Sequence, residues 1–183
     1  MLKRVSWLLL CLALPVSGSE RLALFALQPG DEVGFAERQM SPLLKSAVER
    51  TGVLSCDEDG TLRMEVLEPR RERRSVTDTH VSLERPKGST WKTRRAALDP
   101  DKAAHLPLIA IRDLAHGRVA ALESRFEISE TADGATWRID LTPKSPSLRK
   151  RLSTLTLHGE GDQLQRVYTR SGARRWTEIT FQP

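Results

Sequence analysis

The chain has 183 residues, of which 29% are charged and 39% hydrophobic, and its formal net charge is +5 at pH 7. This length suits a single domain that buries one hydrophobic core. Aromatic residues make up only 5% of the chain, and only Trp91 lies near the basic clusters. Proteins that bind single-stranded nucleic acid interleave basic residues with stacking aromatics. The composition therefore excludes nucleic acid as a partner.

The N-terminus has the parts of a secretory signal peptide. Lys3 and Arg4 are followed by an apolar stretch over residues 5–16 and then by small residues. That stretch is shorter than the roughly 20 residues that a membrane-spanning helix needs. An uncleaved anchor is the alternative interpretation. We predict a cleaved signal peptide over residues 1–19, export to the periplasm, and one mature domain over residues 20–183.

The cysteines and histidines give no sign of catalysis or metal binding. Cys11 lies inside the predicted signal peptide, so Cys56 is the only thiol of the mature domain. A lone cysteine is usually a small buried hydrophobe, and a catalytic thiol needs a histidine, none of which is near Cys56 in the sequence. The chain also lacks a Gly-x-Ser-x-Gly elbow and a metal-type pair of histidines. We therefore predict that the protein is not an enzyme and that it has no metal and no cofactor.

Apolar and polar residues alternate along most of the chain, which is typical of strands with one buried and one wet face. Turn residues such as Asp59-Gly60, Lys87-Gly88 and Asp133-Gly134 separate several of these runs. We predict nine to eleven strands in an antiparallel meander, a mainly β fold. The clearest alternating runs are residues 33–36, 62–67, 81–84, 122–129, 137–142, 155–157 and 179–181.

One region near the middle of the chain has helical spacing instead. Asp99-Pro100-Asp101 is a typical helix start, and His116-Gly117 is a typical end. Pro107 must either break this helix or begin its second piece. A further short helix is predicted over residues 146–150. The apolar insertion over residues 99–117 would cover the inner face of the sheet, above either a ligand cavity or a filled core.

Several short motifs, in order, resemble the outer-membrane lipoprotein carrier (LolA-like) family. The resemblance covers roughly residues 31–182. It is carried by Gly34-Phe35 with Glu37, Gly52-Val53-Leu54, residues 62–69, residues 106–114, Gly117, Leu122, Phe126, residues 137–143 and Leu155-Thr156-Leu157.

This resemblance implies an incomplete antiparallel β-barrel with a short helical lid over a hydrophobic cavity. Such proteins carry acyl chains of lipoproteins through the periplasm to the outer membrane. The chain is more similar to the divergent branch that accompanies aryl-polyene or fatty-acid synthesis clusters, where the cargo is an unusual acyl lipid. The implied partners are an acylated lipoprotein or lipid, an inner-membrane exporter and an outer-membrane acceptor, and we expect a monomer. A periplasmic scaffold or exporter partner with the same fold is the alternative function.

Position and phase along the predicted elements indicate the candidate lipid-binding residues. Those of the sheet wall are Leu62, Met64 and Val66. Those of the lid are Leu106, Leu108, Ile109, Ile111 and Leu114. Packing in an ordinary core would explain each of them equally well.

The basic cluster over residues 70–74 is the other conspicuous feature. In a strand, Arg70, Glu72 and Arg74 would share one face, and Arg71 and Arg73 the other. Arg70 and Arg74 are therefore candidates for binding a lipid head group at the cavity mouth or for locking the lid by hydrogen bonds. The alternative is a solvated edge strand whose charges prevent aggregation.

Overall fold

The computed structural model describes residues 18–182. The predicted signal peptide lies outside the described residues except for positions 18 and 19, which begin the first helix. Four helices are present in the described part: α1 Gly18–Ala23, α2 Leu106–Ala115, α3 Val119–Arg125 and α4 Pro146–Arg149. The strands are β1 Glu32–Met40, β2 Val48–Cys56, β3 Leu62–Glu68, β4 Glu72–Val76, β5 His80–Lys87, β6 Thr90–Ala97, β7 Phe126–Asp133, β8 Thr136–Pro143, β9 Thr154–Glu160, β10 Gln163–Gly172 and β11 Arg175–Gln182.

All these strands form one antiparallel sheet with the order β6-β5-β4-β3-β2-β1-β11-β10-β9-β8-β7. Consecutive strands pair within β1–β6 and within β7–β11, and β1 also pairs with β11, which joins the two meanders in the middle of the sheet. Strands β6 and β7 are the two edges, so the barrel is incomplete. The segment between them, which contains α2 and α3, packs against the buried face of the sheet. The predicted mainly β fold with a short helical cover is confirmed.

The alternating pattern in the sequence corresponds to one buried face of this sheet. In β8, Trp137, Ile139 and Leu141 are buried, while the residues between them are more exposed. Phe35 in β1 and Leu157 in β9 lie in the same core. The core therefore lies between the sheet and the helices, as expected for a sheet with one wet face.

Gly159 in β9 makes room for the largest side chain of this core. A Cβ atom at this position would overlap the indole ring of Trp137 and a backbone carbonyl. Trp137 lies opposite Gly159 in the β8–β9 register and donates its indole N–H to the Gly161 carbonyl over 3.0 Å. A glycine at this point of a strand therefore allows close packing.

Two sequence predictions about the middle of the chain are wrong. The alternating run over residues 122–129 begins as helix, because Leu122 belongs to α3 and only Phe126 starts β7. The central helix starts at Leu106 instead of Asp99, with Pro107 in its first turn, where a missing N–H costs no hydrogen bond. Short apolar runs fit both periods, so periodicity alone could not place these boundaries. The short helix predicted at residues 146–150 is present as α4.

Candidate lipid-binding site

Helix α2 carries two kinds of apolar side chain. Leu106, Ile109 and Leu114 are buried almost completely in the core. Leu108 and Ile111 are only partly buried, although they pack against the same core. Apolar side chains that stay partly accessible within a packed interface indicate space beside the helix.

Two apolar cavities provide that space, and Leu54 and Ile111 line both of them. The first has a volume of about 180 Å³ and lies between α2, residues 24–27 and strands β10 and β11. The second has a volume of about 210 Å³ and lies between α2 and strands β3 to β5. Cavities lined mainly by apolar side chains suit the burial of hydrocarbon.

The structure separates the predicted lipid-binding residues into two groups. The cavity-lining group consists of Leu62, Met64, Leu108, Ile111 and Leu114. Val66, Leu106 and Ile109 are 0 to 2% exposed and line neither cavity. Lipid contact by any of the eight residues stays a prediction, but the geometry favours the first group.

The segment after α1 is a wall of the first cavity that the sequence analysis did not identify. Phe25 stacks on Trp137 with ring centroids 5.2 Å apart, and the Leu27 N–H donates to the Ala115 carbonyl of α2 over 2.8 Å. Arg21 forms a 2.9 Å ion pair with Glu130. The apolar run over residues 22–27 was the available signal, but it follows the predicted signal peptide directly and resembles its continuation.

A chain of ion pairs borders the second cavity. Glu37 Oε2 lies 2.9 Å from Arg74 Nη1 and 3.5 Å from Arg50 Nη1. Glu72 accepts hydrogen bonds from Arg74 over 2.6 Å and from Arg85 over 2.7 Å. Both carboxylates are buried, with 3% of Glu37 and 7% of Glu72 exposed. This network places charge beside the apolar cavity.

The network perturbs the ionisation of its members. Burial alone would raise the pKa of Glu72, but hydrogen bonds and charge from Arg74 and Arg85 outweigh burial and lower that pKa. Burial likewise opposes the charged form of Arg74, yet Glu37 and Glu72 together raise the pKa of Arg74. Glu72 and Arg74 are therefore both charged at neutral pH.

The two arginines predicted for head-group binding or lid locking lie in different environments. Arg74 is in β4, lines the second cavity and bonds to Glu37 and Glu72. Arg70 is exposed and precedes β4. The alternation predicted for this strand is present, since Glu72 and Arg74 face the cavity whereas Arg71 and Arg73 pair with Glu65.

A buried ion-pair cluster ties α2 to its surroundings. Asp113 is 0% exposed and accepts hydrogen bonds from Arg112 over 2.6 Å and from Arg125 of α3 over 3.1 Å. Arg112 also donates to the Thr77 carbonyl in the β4–β5 turn over 3.0 Å. The link between lid and sheet therefore comes from an arginine of the lid, which the apolar periodicity of α2 did not reveal.

Cys56 has a histidine neighbour that lies 60 residues away in the sequence, with 3.6 Å between Cys56 Sγ and His116 Nε2. His116 Nδ1 lies 2.6 Å from the Arg112 carbonyl, which can only accept, so Nδ1 carries the proton. Nε2 of a neutral His116 is then an acceptor for the thiol. Burial, followed by the charges of Asp57 and Asp59, raises the pKa of Cys56. The thiol is thus a protonated donor and a poor nucleophile.

Within residues 18–182, no group of three or more His, Cys, Asp or Glu side chains is placed to hold a metal ion. In the same range, every helix is too short or too polar to span a bilayer.

A family model described as "Outer membrane lipoprotein carrier protein LolA-like" matches residues 21–175. This match covers most of the chain, and the protein therefore belongs to the LolA-like family. No curated protein matches the sequence significantly.

The chain is similar to several solved structures, but only distantly. The LolA superfamily protein NE2245 from Nitrosomonas europaea has 10% identity and a TM-score of 0.43, covering 90% of this chain and 89% of that chain. LprF from Mycobacterium bovis has 15% identity and a TM-score of 0.42, covering 90% of both chains. The Pseudomonas aeruginosa MucA/MucB complex has 14% identity and a TM-score of 0.41, covering 88% of this chain and 53% of that chain.

Proposed function

We propose that this protein is a periplasmic carrier that holds an acyl chain of a lipoprotein or other lipid against α2 and moves it between the inner and outer membranes. The observation that supports this function most strongly is the pair of apolar cavities that share Leu54 and Ile111. Membership of the LolA-like family supports it independently. Its partners would be a donor in the inner membrane and an acceptor in the outer membrane, and it would catalyse no reaction.

Hydrocarbon burial supplies the driving force for capture. Each buried CH₂ group contributes about 0.8 kcal/mol, so a 14-carbon chain would gain roughly 11 kcal/mol if it were fully buried. Leu54 of β2 and Ile111 of α2 line both cavities, and an acyl chain that occupied both would displace Ile111. Since Ile111 covers apolar surface in the empty protein, the loaded and empty states both hide such surface, and exchange between them stays reversible.

The first test is to purify the protein natively from the periplasm and to identify bound lipids by mass spectrometry. A carrier should retain an acylated molecule close to a one-to-one ratio. A lipid-free protein that also ignores added acyl lipids would contradict the proposal and favour a scaffold or exporter partner.

A variant of Ile111 tests the location of the lipid. Ile111→Trp should fill the space between the cavities and lower acyl-lipid binding at least tenfold, a change of about 1.4 kcal/mol. Leu43→Trp is the matched control, because Leu43 is 95% exposed and lies in the β1–β2 connection. Ile109 is unsuitable for this test, since it is 2% exposed and lines neither cavity. Unchanged binding by a folded Ile111→Trp protein would contradict the assignment.

A further inference from the structure

A basic cluster lies next to the second cavity, on the same face of the sheet. Arg85 in β5 and Lys92 and Arg94 in β6 line a small depression of about 80 Å³ together with Leu83. In the antiparallel register, Arg85 is opposite Lys92 and Leu83 is opposite Arg94. Side chains directly opposite one another project from the same face about 5 Å apart. The three cations therefore share one small surface.

This cluster has more positive charge than its carboxylate neighbours can balance. Arg85 forms an ion pair with Glu72, and Glu72 is shared with Arg74. Within residues 18–182, neither Lys92 nor Arg94 forms an ion pair. Like charges on directly opposed strand positions repel one another. A bound anion would relieve that repulsion.

The basic cluster and the second cavity adjoin one another at Leu83. Leu83 lines both of them, and Arg74 connects the cavity to the same ion-pair network. An acyl chain in the cavity could therefore leave its polar end beside Arg85, Lys92 and Arg94. The first cavity has no comparable group, because its lining residues are all apolar.

We infer that Arg85, Lys92 and Arg94 form a binding site for the oxyanion head group, phosphate or carboxylate, of the lipid carried in the second cavity. This inference rests on the proposed carrier function and narrows its cargo to anionic lipids. The guanidinium groups of Arg85 and Arg94 can each donate two parallel hydrogen bonds to an oxyanion, and Lys92 adds a third charge. Since Lys92 and Arg94 are exposed, the interaction weakens as salt screens it.

Charges on β6 would also protect an edge strand from aggregation. That role does not depend on the face from which a charge projects. Arg95 lies next to Arg94 in the same strand, is likewise exposed, and projects from the opposite face, where it lines a polar groove with Arg63 and Ser82. Arg95 is therefore a matched control that separates the two roles.

The experiment compares three probes by calorimetry at low ionic strength: myristoyl lysophosphatidic acid, neutral monomyristoylglycerol, and inorganic phosphate alone. The wild-type protein should bind the anionic lipid at least about tenfold more tightly than the neutral one. Lys92→Gln/Arg94→Gln should remove this preference without weakening the neutral lipid. Arg95→Gln should retain it. Circular dichroism checks the fold of each variant, and the mutated side chains are exposed.

The outcomes distinguish this inference from the function on which it rests. Equal affinity for both lipids, or a preference that survives in Lys92→Gln/Arg94→Gln, would overturn the head-group site and leave the carrier function intact. Failure of the wild-type protein to bind either lipid would overturn both. Binding of inorganic phosphate as tight as that of the anionic lipid would show a site for free anions instead of a lipid head group.

Discussion

Replacing Arg74 by methionine should destabilise the protein substantially, although β4 is near one edge of the sheet. The side chain of Arg74 is 21% exposed and contacts Glu37 and Glu72, whose side chains are 4% and 9% exposed. Breaking a buried ion pair typically costs 3–5 kcal/mol. Arg50 remains 3.5 Å from Glu37, and Arg85 remains 2.7 Å from Glu72. We therefore expect a smaller loss, about 2–3 kcal/mol in the free energy of unfolding.

Urea denaturation at pH 7 measures this effect, and a loss of this size should lower the midpoint by about 1 M. Arg71→Met is the matched control, because Arg71 is 60% exposed and its 3.4 Å pair with Glu65 is worth less than about 1 kcal/mol. Equal losses for the two variants would refute the importance of the buried network.

The pH dependence of the same variant gives a second check. The pKa of Glu72 in the folded wild-type protein is below its ordinary value of 4.5. A carboxylate with a lowered pKa stabilises the folded state above the unfolded pKa, and this contribution is lost as the pH falls through the folded pKa. The difference between wild type and Arg74→Met should therefore shrink below about pH 4.5. A difference that stays constant down to pH 3 would contradict this mechanism.

Three further predictions concern the lid, the N-terminal segment and pH. Asp113→Asn should lower the free energy of unfolding by at least about 3 kcal/mol, because it leaves Arg112 buried without its closest carboxylate. Urea denaturation measures this loss, and a loss below about 1 kcal/mol would contradict the prediction. Phe25→Ala should weaken acyl-lipid binding several-fold, because it opens the first cavity, and should lower the melting temperature, because it removes the ring stacked on Trp137. An unchanged lipid affinity together with an unchanged melting temperature would contradict this prediction. Burial and, after it, the charges of Arg166 and Arg138 lower the pKa of His158 in the folded protein. The unfolded state therefore takes up a proton at a higher pH than the folded state does, and the free energy of unfolding should fall as the pH drops below 6.5. His158→Gln should reduce this slope in melting temperature between pH 7 and 5.5, and an unchanged slope would exclude His158 as its source.

Much of the fold could be predicted because strand formation is local. A two-residue period needs only neighbouring side chains, and runs such as residues 137–142 and 155–157 therefore mark β8 and β9 directly. The glycine-containing turns separate the hairpins for the same reason. The helix boundaries near Leu106 and Leu122 were missed because short apolar segments fit either period and tertiary packing decides between them.

The candidate site could be predicted only in part. Phase along β3 and α2 marks Leu62, Met64 and Ile111 as apolar and inward, but it cannot separate a cavity wall from a filled core. Val66 has the same phase and character as Leu62 and Met64 but lines neither cavity. That distinction depends on the shapes of side chains from several elements that meet in space.

The sequence by itself determined the strand pattern, the approximate position of the helical insertion and the likeness to a lipoprotein carrier family, because each follows from local periodicity or from short motifs in a fixed order. Only the tertiary structure decided which groups meet across the sheet. It placed His116 beside Cys56 and joined Glu37 to Arg74. These contacts join residues far apart in the chain through strand register and packing, and no local pattern encodes them.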